Sequence, residues 1–205
     1  MEVNYKLIIL FILAVYLVYV YLYKYTDNVY MKSDIDNKLY LIRRGSNKSQ
    51  QFLKDSANTL AIINQRIESL INYLQQNYMN DITKNYFIKH LRENYNSYMI
   101  SEAAVDPKYT TYTIDKEDIR ICLRTRDTYD RIYDINTLMF VTLHEISHLC
   151  NYSKEGAEII GHGSSFRMIF AFLVNTAIKL GLYKYQDYSK NPVEYCSILI
   201  NSQIT

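Results

Sequence analysis

Three of the four histidines in this chain lie close together in the sequence. His144 and His148 form a His-Glu-x-x-His pattern around Glu145, and His162 follows inside Gly-His-Gly. Residues four apart on a helix lie on the same face, so both imidazoles of the pattern can bind one Zn²⁺ while the glutamate points at the metal-bound water. The pattern therefore predicts zinc-dependent hydrolysis.

The remaining ligand must come from outside the pattern, because a catalytic zinc takes three protein ligands and keeps its fourth position for water. We expect His162 to be this ligand, with its flanking glycines allowing the backbone to approach closely. Glu155 and Glu158 are the competing third ligands, but imidazole is the more usual zinc ligand. Glu145 is the expected general base, since it can accept the proton of the water and pass it to the leaving amine. A helix without any metal is the alternative to this whole assignment.

Hydrophobic periodicity predicts the elements that must position these residues. Apolar residues at three-and-four spacing predict a helix over residues 49–78, either packed on the domain or forming a short coiled coil. Asp81 can cap a second helix that ends near Asn94. Runs of β-branched and aromatic residues at 109–114 and 119–123 predict a hairpin, whose edge strand could pair with an extended substrate.

Two further helices are expected to carry the candidate ligands. Asp134 or Asn136 can cap the helix that contains the His-Glu-x-x-His pattern, and Ser164 can cap a helix that stops before Gly181. The predicted fold class is therefore α+β: a small zincin-like metallopeptidase domain, mostly helical, with a short β-hairpin or sheet.

An apolar segment at the N-terminus predicts a transmembrane helix. Residues 7–23 carry no charge and no proline and lie between Lys6 and Lys24. At ~1.5 Å per residue they span about 25 Å, slightly less than a hydrocarbon core of ~30 Å. We expect an uncleaved anchor, because the tyrosines near its end do not suit signal-peptide cleavage; a buried core helix is the alternative.

The predicted domain organisation follows from this anchor. Residues 1–30 form the anchor, residues 31–80 a juxtamembrane linker and an amphipathic helix, and residues 81–205 the metallopeptidase domain. More basic residues follow the apolar segment than precede it, which predicts a single-pass protein with its C-terminal domain in the cytosol. A host membrane and a virion membrane are both compatible with the sequence.

Charge and cysteine content limit the partners and the compartment. The chain has 23 basic and 21 acidic residues, so its overall charge does not support nucleic acid as a partner. Cys122, Cys150 and Cys196 are widely separated, odd in number and without a Cys-x-x-Cys pair. We expect three buried free thiols in a reducing compartment, and no structural zinc ribbon. The expected partners are a protein or peptide substrate and the membrane.

Four segments together carry a family resemblance: residues 119–124, 136–141, 144–148 and 161–166, the last reading Gly-His-Gly-Ser-Ser-Phe. They resemble the WLM and SprT-like group of zinc metallopeptidases, in particular the WLM-like proteins of giant DNA viruses. The resemblance implies a gluzincin- or minigluzincin-like core with the three clustered histidines as ligands and Glu145 as base. It also implies that residues 191–196 return toward the site, where Tyr195 could donate a hydrogen bond to an oxyanion.

Cellular members of that group cleave proteins crosslinked to DNA. This chain lacks a zinc ribbon and carries an apolar N-terminal segment instead, so we carry over the peptidase chemistry and not the substrate. The function predicted is a membrane-anchored zinc metallopeptidase that hydrolyses peptide bonds with a zinc-bound water and a glutamate base. The alternative is a membrane-tethered structural or virion-associated protein with a vestigial zinc site.

Overall fold

The computed structural model describes residues 5–25, 28–45, 49–105 and 110–201, with only the backbone described for residues 22–25. These residues form an α+β fold of five helices and small sheets. The helices are α1 (Tyr5–Tyr25), α2 (Gln50–Tyr78), α3 (Asn85–Asn94), α4 (Ile135–Leu149) and α5 (Ser164–Lys179).

The strands form three small sheets. The first is an antiparallel hairpin of β1 (Asn28–Lys32) and β2 (Leu39–Arg43). The second has the order β3-β5-β4, from β3 (Ile100–Glu102), β4 (Tyr112–Ile114) and β5 (Asp118–Ile121), with β3 parallel and β4 antiparallel to β5. The third is an antiparallel hairpin of β6 (Val193–Tyr195) and β7 (Ile198–Ile200). Strand β4 therefore forms one edge of the second sheet.

Helix α2 packs on the domain and contributes one wall of its core. Ser49 caps the helix by accepting a hydrogen bond from the N–H of Phe52. The predicted apolar stripe is buried, with Leu60, Ile67 and Leu74 wholly inside. One cluster of buried residues contains this stripe, side chains of β2 and side chains of α4 and α5. The core thus includes residues from both sides of the domain boundary predicted at residue 80.

Several predicted boundaries hold, and others shift. Asp134 caps α4 by accepting from the N–H of Asn136, as one of the two predictions had it. Helix α5 is capped by Gly163 and not by Ser164. Helix α3 begins at Asn85, because Asp81 uses its carboxylate to hold a preceding turn through the N–H of Thr83. The predicted hairpin is present as β4 and β5; the start of its first strand, at Tyr109, lies outside the described residues.

The predicted transmembrane anchor is wrong. Residues 5–25 do form the helix α1, and its described side chains are exposed, so it is not a buried core helix either. Among the described residues, no helix combines the length and the apolar character needed to cross a membrane. The charge-free stretch between Lys6 and Lys24 rises only about 25 Å, which is short of a ~30 Å hydrocarbon core. The single-pass membrane localisation predicted from this segment is corrected with it.

The prediction of three free thiols is also wrong. Cys122, just after β5, forms a disulfide with Cys196, in the turn between β6 and β7, across a Cα–Cα distance of 6.4 Å. Cys150 is free and buried. The paired cysteines are 74 residues apart, and only the folding of the last hairpin onto the sheet brings them together. The cysteines therefore give no argument for a reducing compartment.

A buried ion-pair network joins the β1–β2 hairpin to the second sheet, β3-β5-β4. The Nε of Arg124 donates to Oε1 of Glu102 at 2.6 Å, and both side chains are almost fully buried. The same guanidinium donates to the backbone carbonyl of Arg43 and contacts Asp130. Burial raises the pKa of Glu102, and the two arginines oppose that rise by favouring the charged form.

Candidate metal centre

Helix α4 places two histidines and a glutamate at the base of the candidate site. His144 and His148 are one turn apart and lie on the same face, as their spacing predicts. Their Nε2 atoms are 3.3 Å apart. Glu145 projects from the next position along the helix and is only 7% exposed. The local rules of helix geometry thus account for these three residues.

The loop between α4 and α5 supplies the third histidine. Its chain turns at Gly161, which has a φ of +86°, a conformation that L side chains rarely adopt. Apart from the adjacent residues of the chain, no described atom lies within 4 Å of the position that a Cβ would occupy at Gly161 or Gly163. Close packing of the backbone against other described residues is therefore not what requires these glycines. At Gly161 the need is for a positive φ.

The three imidazoles converge on one point. The Nε2 of His162 lies 2.9 Å from that of His144 and 3.2 Å from that of His148. Three nitrogens bound tetrahedrally to one zinc at about 2.0–2.1 Å would be about 3.3 Å apart. The observed spacing fits a zinc ion. Three neutral imidazoles cannot all donate to one another at these distances, so a shared cation is the natural partner for their lone pairs.

A phenylalanine that our sequence reasoning gave no role supports this triad. The ring of Phe166 packs against all three imidazoles, with centroid distances of 4.9 Å to His144, 4.4 Å to His148 and 4.7 Å to His162. Phe166 is buried near the start of α5. Its place four residues after His162 in the Gly-His-Gly-x-x-Phe segment was the available signal.

Electrostatics keep two of the candidate ligands, His144 and His148, neutral at pH 7. Burial, together with the charges of the other two histidines, lowers the pKa of His144 from 6.5 to about 3. Burial lowers the pKa of His148 to about 4, with the charges of His162 and Lys116 acting in the same direction. Neutral imidazole is the form that binds a metal. Both side chains are therefore ready to bind without first losing a proton at neutral pH.

Glu145 lies beside the triad in a protected position. Burial raises the pKa of its carboxyl from 4.5 to about 7, and a hydrogen bond from Thr113 partly opposes this rise. The Thr113 hydroxyl donates to Oε2 of Glu145 at 2.8 Å. Thr113 lies in the edge strand β4, and sequence reasoning did not single it out. A carboxyl whose pKa is near neutrality can exchange a proton at physiological pH.

The other candidates from the sequence lie away from this point. Glu158 pairs with Lys116, at 3.2 Å, and Glu155 is exposed in the loop before it, so neither competes with His162 in the described geometry. His90 stacks on the ring of Tyr152 with a centroid distance of 4.0 Å and takes no part in the triad. Among the described residues, the three clustered histidines are the group whose spacing suits a metal ion.

The C-terminal hairpin does return toward the site, but Tyr195 is engaged elsewhere. Its ring is buried, and its hydroxyl is hydrogen-bonded to the hydroxyl of Thr111. Burial holds the pKa of Tyr195 well above its ordinary value. The tyrosine therefore fixes the hairpin to the strand region beside Glu145, and its role toward an oxyanion stays a prediction.

Comparison with known proteins gives relatives of viral origin. No family model and no solved structure matches the chain. An uncharacterized protein of Acanthamoeba polyphaga mimivirus is 37% identical over 176 residues, which cover 85% of this chain and 83% of that protein. An uncharacterized protein of Invertebrate iridescent virus 6 is 30% identical over 168 residues, covering 80% of this chain and 85% of its own. A third, from Invertebrate iridescent virus 3, is 42% identical over 91 residues, 43% of this chain and half of that protein.

The first two matches extend over most of this chain and most of each viral protein. The chain belongs to the family of viral proteins that includes these mimivirus and iridescent virus 6 proteins.

Proposed function

We propose that this protein is a zinc-dependent metallopeptidase. One observation carries the proposal: the Nε2 atoms of His144, His148 and His162 lie 2.9–3.3 Å from one another, and the buried carboxyl of Glu145 lies on the helix that carries the first two. Three histidines with an open fourth position are a usual ligand set of catalytic zinc, whereas structural zinc sites are closed by a fourth protein ligand. No fourth protein ligand joins the triad among the described residues.

Zinc bound there would supply Lewis-acid chemistry, polarising a carbonyl group and acidifying water. The chain's own residues would supply the proton transfers. Glu145 can accept a proton from water on a carboxylate oxygen and deliver it to the amine that leaves. Its pKa of about 7 without metal would fall when a cation binds nearby, which favours the carboxylate form needed in a base. Thr113 holds the carboxylate from the side of the sheet.

The position of β4 suits an extended substrate. This strand is the edge of the sheet β3-β5-β4, and its residue Thr113 contacts the glutamate on α4. A peptide that paired with this edge would run past the three histidines with its amide groups oriented by backbone hydrogen bonds. The resemblance of the motif segments to WLM and SprT-like metallopeptidases supports the same chemistry.

Metal analysis and a cleavage assay on the full chain would test the proposal. The wild-type protein should bind about one zinc per chain and cleave an unfolded protein. His162→Ala should lose zinc, whereas Glu145→Gln should keep zinc and lose turnover. His90→Ala is the matched control, because it removes the one histidine outside the triad. If the wild-type protein binds zinc and cleaves nothing, the proposal fails, and the structural role with a vestigial site becomes the better description.

A further inference from the structure

The turn between β4 and β5 carries a lysine in an unusual backbone conformation. Asp115 and Lys116 both have a positive φ, 47° and 59°, in a turn that the N–H of Glu117 closes by donating to the carbonyl of Ile114 at 2.9 Å. Turns with two such residues at their centre prefer glycine, asparagine or aspartate, because most L side chains rarely adopt a positive φ. A lysine in this strained position indicates that its side chain makes contacts which compensate for the strain.

The side chain of Lys116 crosses from this turn to the loop between α4 and α5. Its Nζ lies 3.2 Å from Oε1 of Glu158 and 3.9 Å from the centre of the Tyr152 ring. The side chain is 18% exposed, and the Nζ atom itself is buried. An ammonium group withdrawn from water needs an opposite charge or an aromatic face to compensate for its lost hydration, and these two residues provide both. The contact therefore holds the turn to the loop.

The two partners of Lys116 lie opposite each other at the base of this loop. Tyr152 and Glu158 form an isolated antiparallel bridge. Backbone hydrogen bonds of 2.7 and 2.9 Å on either side of the bridge keep the two arms of the loop together. His162 follows soon after Glu158 in the chain. A contact that fixes the base of the loop therefore also limits where the chain can place His162.

Lys116 also lies near the candidate metal centre itself. It lines the same groove as the three histidines, a cavity of about 1240 Å³. Burial is the main cause of the lowered pKa of His148, and the positive charges of His162 and Lys116 add to it. The turn directly follows β4, whose Thr113 holds the carboxylate of Glu145. Lys116 therefore joins the strand that orients the proposed base to the loop that supplies the proposed third ligand.

We propose that Lys116 is a positioning residue for the candidate metal ligand His162. It ties the β4–β5 turn to the base of the α4–α5 loop and so keeps the imidazole of His162 beside the two helical histidines. Without this contact the loop could move away from the helix, and the metal would be released more often. This inference rests on the zinc site of the proposed function and adds a residue that retains the metal without binding it.

The rate of zinc release tests this role without any assay of cleavage. The zinc-loaded full chain is mixed with an excess of a chromophoric chelator, and the formation of the zinc–chelator complex is followed over time. Lys116→Met keeps an apolar stem against the tyrosine ring but lacks the charge. It should release zinc roughly tenfold faster than the wild-type protein, as expected when a contact behind a metal ligand is lost. Lys116→Arg keeps the charge and should restore a release rate close to that of the wild type.

Lys38→Met is the matched control. Lys38 lies in the turn of the β1–β2 hairpin, with its Nζ 3.4 Å from Oε1 of Glu68 and 5.6 Å from the centre of the Tyr98 ring. It has the same kinds of partner as Lys116 but does not line the groove of the three histidines. Lys38→Met should lower the thermal transition about as much as Lys116→Met does, and it should leave the rate of zinc release unchanged.

Glu158→Gln is a second variant, which removes the charge of the partner and keeps its shape. It should also release zinc faster. Combined with Lys116→Met, its effect should be smaller than the product of the two single effects, because both changes remove one contact. Release at the wild-type rate in both single variants overturns this inference and leaves the peptidase proposal standing, and equal acceleration in Lys38→Met overturns it too. A wild-type protein that binds no zinc overturns both proposals, whereas faster release by the variants of a protein that cleaves nothing supports this inference alone.

Discussion

The hydroxyl of Thr113 donates a hydrogen bond to Oε2 of Glu145 at 2.8 Å, which links the edge strand β4 to the helix that carries the candidate ligands. The two residues are 32 positions apart in the chain. A carboxylate held by one hydroxyl has fewer orientations available to it, so its second oxygen can face the histidines. The sheet therefore helps to orient the proposed base.

Replacing this hydroxyl should impair turnover more than metal binding. In Thr113→Val the side chain keeps its shape and β-branching but cannot donate, so we expect kcat to fall roughly 10- to 100-fold, in line with a hydrogen bond to a charged group. Thr113→Ser should restore most of the activity. Zinc content and kcat are measured for both variants. Equal activity of the valine and serine variants would show that the hydrogen bond has no part in orienting Glu145.

The metal-free protein should lose stability as the pH falls from about 6.5 to about 4. The folded pKa values of His144 and His148 are lowered to about 3 and about 4. Below pH ~6.5 these two histidines therefore bind protons in the unfolded chain but stay neutral in the folded chain. The stability from these neutral histidines is present above that pH and is lost as the pH falls toward the folded values.

The titration of Glu145 opposes this loss of stability, so a variant without its carboxyl serves as the control. Its folded pKa is raised to about 7, so its contribution is present below the unfolded value and is lost as the pH rises through 7. Because two histidines destabilise the folded state on acidification and one carboxyl stabilises it, the net effect is a loss of stability. In Glu145→Gln the opposing titration is absent, and the dependence should steepen. Chemical denaturation at a series of pH values, with a chelator present, measures the free energy of unfolding of the wild-type protein and of Glu145→Gln. A weaker pH dependence for Glu145→Gln would contradict the raised pKa of Glu145.

Removing one partner of the buried pair Arg124 and Glu102 should lower the free energy of unfolding much more than replacing both partners with apolar residues. Arg124→Ala leaves the carboxyl of Glu102 buried without its main partner, so we expect a loss of about 3–5 kcal/mol in the free energy of unfolding. The double variant Arg124→Met with Glu102→Leu removes both charges and should lose much less. Urea denaturation of the three proteins gives the comparison. A single variant as stable as the double one would mean that water reaches Glu102.

The disulfide should stabilise the domain measurably. Closing a loop between cysteines that are 74 positions apart lowers the entropy of the unfolded chain by an amount worth about 4 kcal/mol in the chain-entropy treatment. Cys122→Ser should therefore lower the free energy of unfolding, and Cys150→Ser, which removes the free thiol, serves as the comparison. Thiol labelling of the unfolded, unreduced wild-type protein should detect one cysteine. Detection of three would exclude the bond.

Features that depend on neighbours along the chain could be predicted from the sequence. The i and i+4 spacing of His144 and His148 predicted their shared helical face, the period of α2 predicted its buried stripe, and Asp134 was among the predicted caps. These features follow from backbone geometry within one or two turns. The same reasoning predicted a helix over the apolar N-terminal segment correctly but overestimated it as a membrane span.

Contacts between residues far apart in the sequence became visible only in the folded domain. Folding brought His162 to the two helical histidines, Thr113 to Glu145, Cys196 to Cys122, and Tyr195 of the last hairpin to Thr111. Each of these contacts depends on how helices and strands pack around one shared core, and no local spacing in the chain encodes that packing.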